Sequence, residues 1–423
     1  MPHVRSYYAA TAHEAPRHPT LAGDTSCDVC VVGAGIAGCA AALELAERGY
    51  GVVLLEAEQV GWGASGRSGG QAIFGYGTSQ ASLAAQVGIE PARRMWDVSI
   101  EALDWVRDRV GRHGIDCDLH WGHLHVATRP RQRGELLDLQ QELADVYDYH
   151  SPRFLERSEI EALLATTRYC AGLYDTRSGH LHPLNYTLGL AAAAEAAGVQ
   201  IHESSEVTRI EHGDTVVLHT AQGGVRATHV ALCCNAYMDQ LSPALRARIM
   251  PVGTYIVATE PLGRGRIEAL MRENIGVTDV NWVLDYFRRS SDHRLLFGGR
   301  VSYSGLDPLN TERATRARMI RVFPQLADVR IEYAWGGYVD ITMSRAPDFG
   351  RIAPNVYYLQ GFSGHGIALT GMAGKLVAEA IAGQAERFDL FTKLKHRDFP
   401  GGPALRTPAL VLAMLWFRLK DLL

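Results

Sequence analysis

Gly33, Gly35 and Gly38 form a G-x-G-x-x-G run directly after the β-branched stretch CDVCVV, and Glu56 follows 18 residues beyond the last glycine. Residues of these types at this spacing can hold a dinucleotide. Gly33 permits a tight turn, Gly35 lets the backbone approach a pyrophosphate, and Gly38 allows the next helix to pack closely on its strand. Ala34, Ile36 and Ala37 lie among them at a helix N-terminus, whose amides favour phosphate. Glu56, followed by Ala57, closes a second apolar strand and is set to accept ribose hydroxyls. A glycine turn alone would be weak support; strand, helix and terminal acid together favour a nucleotide over a purely structural turn.

Two further glycine segments could approach such a ligand. Where NAD enzymes usually resume strands and helices, residues 56–77 form a loop dense in glycine and serine. Its GASGRSGGQ stretch offers backbone donors from Ala64, Ser65, Arg67, Ser68, Gly69, Gly70 and Gln71, unless the loop is simply a mobile surface segment. The other segment, GFSGHG at 361–366, joins the apolar run VYYLQ to a helical stretch beginning near Ile367. Gly361, Gly364 and Gly366 give backbone proximity, while Phe362, Ser363 and His365 fill the turn. His365 either touches the ligand or hydrogen-bonds the turn; both readings stand.

Other chemistry is weaker. Cys27-x-x-Cys30 enters the first strand, where small structural residues are expected and redox work is not. His180 and His182 have metal-ligand spacing without clustered acidic or cysteine partners, so no metal is expected.

The elements that must position these groups begin with a βαβ unit over residues 27–56. A polar, proline-containing arm, residues 1–25, carrying Tyr7 and Tyr8, precedes it and is expected to pack late or loosely. Helices are expected over 92–113, 131–148 and 185–198, strands over 199–234, and a largely antiparallel sheet over 248–340. The expected organisation is a discontinuous nucleotide-binding domain (26–85, 150–238 and 345–385), a second domain (86–149 and 239–344) and a C-terminal extension (386–423). The fold class is α/β: a Rossmann-type domain with a second, mainly antiparallel-sheet substrate domain.

The chain has 423 residues, enough for two domains, and 47% are hydrophobic. Its 42 basic and 46 acidic residues leave no positive surplus to suggest nucleic acid. Seven cysteines without framework spacing, and no leading secretory pattern, predict a cytoplasmic enzyme. The apolar tail RTPALVLAMLWFRLKDLL is shorter than the roughly 20 residues a bilayer span needs and reads as a packing helix. Homo-oligomerisation is left open.

The fingerprint at 33–38, GASGRSGGQ and GFSGHG together resemble the amine- and D-amino-acid-oxidase family of FAD enzymes. GHLHPLN at 179–185, VLDYFR, RLLFGGRV, FPQL and AERFD followed by FPGG extend the likeness over nearly the whole chain. The resemblance implies the D-amino-acid-oxidase-like FAD fold, with FAD lying across the three glycine segments. It also implies that Val207 holds the adenine through its backbone and that Asn235 and Ala236 border the pyrophosphate. His365, Tyr286, Trp62 and Arg67 become candidates for the substrate pocket or flavin environment. The aromatics Phe74, Tyr76, Tyr255, Trp282 and Tyr338 are further candidate pocket walls.

Within that family the likeness points to oxidative deamination of the primary amine of gamma-glutamylputrescine or a similar glutamylated or alkyl amine. Hydride passes to flavin, and an aldehyde and ammonia result. Sarcosine-oxidising relatives tether FAD through a cysteine in the segment matching WGGYVDITMSR; no cysteine follows Cys234 here, so noncovalent FAD is expected. Those relatives also carry a carboxylate-binding lysine just after GFSGHG, whereas Ile367 and Ala368 stand here. An N-methyl or other secondary amino-acid oxidase is therefore the weaker alternative, and a noncatalytic flavin-binding protein is the alternative from another class. The first lysine in the chain is Lys375, about 13 Å along a helix from Gly366. Arg67, Arg288 or Arg300 would have to supply any positive charge assisting oxygen, or another acceptor takes the electrons.

Overall fold

The computed structural model describes residues 1–238, 241–302 and 311–400. The first sheet is built around Thr25–Val32, whose last four residues are buried on both faces. It pairs in parallel with Val52–Leu55 on one side and Gly224–Leu232 on the other. Gln200–His202 and Val356–Gln360 extend the parallel set outward, and the antiparallel Asp348–Ala353 closes one edge. Near-continuous runs such as VVLL and VYYLQ suit strands covered on both faces.

Helix Ile36–Ala46 covers one face as the crossover between the first two strands. Its small residues let helix Gly366–Ile381 come to backbone contact: a Cβ on Gly374 would sit 2.6 Å from the Ala41 amide nitrogen and 2.7 Å from the Ala37 carbonyl oxygen. Helix Ile89–His113 joins the same layer. Its Trp105 Nε1 donates to Glu44 Oε1 at 2.9 Å, and its Arg109 Nη2 donates to the same oxygen at 2.6 Å. Glu44 is buried, which opposes ionisation, yet these donors and Arg48 hold its carboxyl below the ordinary range.

The second sheet has nine strands among the described residues. Ile331–Thr342 and Ile249–Thr259 form its longest antiparallel ladder, followed by Leu295–Ser302 and Tyr286–Arg289. Gly276–Asp279 joins His120–Ala127 in parallel, and all the other pairings are antiparallel. Phe287 and Phe297 stack at 5.7 Å between ring centres, with Phe323 edge-on to Phe287. Burial of each such side chain contributes about 2 kcal/mol.

Three features depart from expectation. Ala171–His180 and Arg153–Glu156 belong to the second sheet although they lie within 150–238. Conversely, Ile89–His113 packs on the helical layer of the first sheet although it lies within 86–149. Glu44 buried beneath Arg109 explains the latter: the pair can be satisfied only with this helix in place. The N-terminal arm is packed as well. Tyr7 and Tyr8 are buried in helix Tyr7–Thr11, Tyr7 donates to Asp292 at 2.9 Å, and Arg288 donates to the Tyr8 hydroxyl at 3.3 Å. The tail from residue 401 onward, including the expected packing helix, lies outside the described residues.

Candidate flavin and substrate site

A cavity of about 940 Å³ opens between the two sheets and takes lining from all three glycine segments. From the fingerprint unit come Gly33, Gly35, Ile36, Ala37, Glu56 and Ala57. From the loop come Trp62, Ala64, Ser65, Ser68, Gly69, Gly70 and Gln71; from the last turn come Phe362, Ser363, Gly364, His365, Gly366 and Ile367. Val207, Asn235 and Tyr286 line it as well.

Five expected site residues are not in the lining: Ala34, Gly38, Arg67, Ala236 and Gly361. Gly38 works by packing, since a Cβ there would lie 1.8 Å from the Gly33 carbonyl oxygen. Ala34 donates its amide to Glu56 at 2.7 Å. Gly361, at φ +80°, sits against Thr342 and makes the turn without facing the cavity. Arg67 lies against Trp62: its Nε donates to the Trp62 carbonyl at 2.7 Å and its guanidinium lies 4.2 Å from the Trp62 ring centre. Of the aromatic candidates, Trp282 joins Trp62 and Tyr286 in the wall; Phe74, Tyr76, Tyr255 and Tyr338 do not.

At the nucleotide end, Glu56 accepts the amides of Ala34 and Glu58, and burial pushes its carboxyl up to about 7. Ser65 Oγ accepts the Ile36 amide at 3.0 Å, which joins the glycine-serine loop to the fingerprint helix. The loop then runs into the second sheet, where Gln71 pairs with His180. Behind it, buried Arg288 donates to the Gly69 carbonyl at 3.2 Å, so this arginine shapes the loop from outside the cavity.

At the other end stand residues that local sequence did not single out: Asp340, Arg345 and His125. Asp340 accepts the amides of Gly361 and Phe362, and its backbone carbonyl accepts the Ser363 amide at 3.0 Å. Burial pushes its carboxyl up to about 7. His365 is lowered to about 3 by burial, then by the charge of Arg345 and the nearby His125. His125 is lowered to about 4 by burial. Both rings are therefore neutral at pH 7 and can accept hydrogen bonds.

Of the cations considered for oxygen chemistry, Lys375 is tied to Glu101 at 2.5 Å, and the Arg300 side chain lies outside the described residues. The cavity suits a large polar cofactor. A Cβ on Gly364, at φ +92°, would meet open space, and the buried Ser68 Oγ and Tyr237 hydroxyl lack hydrogen-bond partners among the described residues. The helices starting at Ile36 and Gly366 direct their N-termini to it. Among the described residues no group of three metal-ligating side chains comes together, and no helix is long and apolar enough to cross a membrane.

The family model described as FAD dependent oxidoreductase matches residues 28–380. The chain is 41% identical to gamma-glutamylputrescine oxidoreductase of Escherichia coli, over 99% of this chain and 98% of that one. It is 40% identical to the probable oxidoreductase OrdL of Haemophilus influenzae, over 99% and 97% of the two chains. The fold is similar to glycine oxidase from Geobacillus kaustophilus, with a TM-score of 0.72 and 21% identity over 85% of this chain and 95% of the other. Cavity, glycine segments and near-complete relatives agree: the chain belongs to the D-amino-acid-oxidase family of FAD-dependent oxidoreductases, and FAD is its cofactor.

Proposed function

We propose that this oxidoreductase deaminates the primary amine of gamma-glutamylputrescine or a close glutamylated alkyl amine. The 41% identity to gamma-glutamylputrescine oxidoreductase, spread over 99% of the chain, carries the reading. FAD is held noncovalently, its nucleotide along Gly33–Ala37, Glu56 and Val207 and its ring against Gly69–Gln71 and the turn 362–367. The domain containing the first sheet binds the cofactor, and the second sheet supplies the substrate wall.

Bound FAD supplies the hydride acceptor. The chain's own work is to orient and dry the amine, because an ammonium has no lone pair to drive hydride loss. Trp62, Trp282 and Tyr286 flank the alkyl chain, and the neutral rings of His125 and His365 accept hydrogen bonds from the amine. Burial of Ile367 and Ala368 where a carboxylate-binding lysine would stand disfavours small N-methyl amino acids. The cavity wall holds no lysine among the described residues, so oxygen or another acceptor takes the electrons without that aid. None of the seven cysteines is joined in a disulfide, which supports a cytoplasmic location.

Anaerobic mixing of the flavin-loaded enzyme with a panel of amines tests the reading. Bleaching of the flavin by gamma-glutamylputrescine is expected, with aldehyde and ammonia as products. Bleaching by sarcosine in its place, or by no amine, would overturn it. Admission of oxygen then reports the acceptor.

A further inference from the structure

A diamine carrying an amino-acid head brings two ionisable nitrogens, and only one of them reacts. The other stays an ammonium, which is costly to bury without a counter-charge. Among the described residues, five carboxylates line the cavity. Glu56, Glu58 and Glu206 follow strands of the first sheet, and Asp340 is taken up by the amides of Gly361 and Phe362. That leaves Asp279.

Asp279 ends the strand Gly276–Asp279 of the second sheet. The preceding Thr278 donates to Gln71 Oε1 at 2.6 Å, which ties this strand end to the glycine-serine loop. The Asp279 amide donates to the Asp285 carbonyl at 2.9 Å, closing a narrow loop whose Val280, Asn281 and Leu284 also line the cavity. Asn281 anchors that loop by accepting Gln132 Nε2 at 2.8 Å. The Asp279 side chain is 4% exposed and its Oδ1 accepts the Asn281 amide at 3.0 Å, but no basic side chain among the described residues pairs with it. Arg318 pairs with Asp285 at 2.5 Å instead. Burial, then the charge of Asp285, pushes the Asp279 carboxyl up to about 7. Tyr169 is the other titratable group beside it, and Arg168, Arg318 and Arg321 act on Asp285. A buried carboxylate without a cation gains most from one delivered through the cavity. Against the reacting nitrogen it would hold an ammonium and stop hydride loss, so the nitrogen it suits is the other one.

We propose that Asp279 is an ammonium subsite, which binds the α-ammonium of the substrate's amino-acid head while the far amine reaches the flavin. The identity of that head rests on the deamination reading above; the subsite does not need turnover to be seen.

The test uses the FAD-loaded enzyme and two ligands without a terminal amine: gamma-glutamyl-n-butylamide, and glutaric acid mono-n-butylamide, the same molecule without its α-amino group. Titration calorimetry at pH 8 should show wild type binding the first more tightly. Asp279→Asn keeps an acceptor for the Asn281 amide and should weaken the first ligand about 10- to 100-fold, the loss expected for a charge-assisted pair, while the second binds as well or better. Between pH 8 and pH 6 the first ligand should lose about tenfold in affinity for wild type, because protonation of a carboxyl at about 7 removes the counter-charge. Asp279→Asn should show no such loss, nor should the second ligand. Unchanged affinity of the first ligand for Asp279→Asn, equal losses for both ligands, or no binding to wild type would each overturn the subsite. If Asp279→Asn takes up no FAD, wild type decides: a pH-dependent loss for the first ligand alone supports the subsite, and equal pH dependence for both overturns it. Failure of gamma-glutamylputrescine to bleach wild-type flavin, with these titrations as expected, would overturn the deamination reading and leave the subsite standing.

Discussion

Asp340 and Phe362, 22 residues apart, meet where the Phe362 amide donates to the Asp340 carboxylate at 3.2 Å, beside a second bond from Gly361 to the same carboxylate. The strand holding Asp340 thus fixes the turn that lines the flavin end of the cavity. Asp340→Ala leaves two buried amides unpaired, which costs about 1–3 kcal/mol each. FAD affinity measured by flavin fluorescence should weaken at least tenfold, while far-ultraviolet circular dichroism stays unchanged.

The same carboxyl sets a pH dependence. Its folded value of about 7 lies above the ordinary 3.8, so between those values the folded protein binds more protons than the unfolded chain. Stability from this group is therefore fully present below pH 3.8 and is lost as pH rises toward 7. Urea unfolding of the apoprotein should show wild type losing stability relative to Asp340→Asn between pH 5 and pH 8, by at most about 3 kcal/mol. A pH-independent difference between the two would count against the assignment.

Glu56 accepts two amides in a comparable way, at the end of the cavity proposed to hold the nucleotide. Glu56→Ala removes the acceptor for Ala34 and Glu58 as well as the partner for a ribose, so FAD affinity should fall about 10- to 100-fold. Glu56→Gln keeps one acceptor oxygen and should lose less. Equal affinity in all three proteins, read by flavin fluorescence, would remove Glu56 from the cofactor site.

Gly374 tests the helix layer beneath both ends. A methyl group there meets backbone atoms of Ala37 and Ala41, which cannot move aside as a flexible side chain would. Gly374→Ala should lower stability by about 2 kcal/mol or more, read as a drop of several degrees in melting temperature.

The N-terminal arm supports the flavin loop through Tyr8 and Arg288. Tyr8→Phe should cost about 1 kcal/mol and leave FAD affinity within a few fold. Deleting residues 1–12 should cost far more, because it uncovers the buried Arg288 guanidinium beside Gly69 and Gly70. Limited proteolysis and flavin release on warming would report it.

The glycine segments were legible because each encodes its own geometry: Gly33 and Gly364 sit at positive φ, and Gly38 has no space for a Cβ. Asp340, Arg345 and His125 were not, because no local spacing marks them. Strand Ile331–Thr342 brings Asp340 to the turn through its register with Ile249–Thr259, a long-range property. Arg67, placed in GASGRSGGQ, is absent from the cavity lining and lies against Trp62 through its Nε and its guanidinium face. The arm is not loosely packed, because Tyr7 and Tyr8, visible in its otherwise polar sequence, bury against the second sheet. The helix 92–113 was recognised as a helix, but its partner Glu44 lies far earlier in the chain.

Helix Gly366–Ile381 lies on helix Ile36–Ala46, and strand Val356–Gln360 reaches Thr25–Val32 through only one intervening strand. Contacts between such distant stretches form late. During synthesis, the glycine fingerprint therefore emerges from the ribosome more than three hundred residues before the partners that complete its cradle. Flavin capture becomes a closing event of biogenesis, and a nascent chain stalled short of Gly366 should emerge colourless.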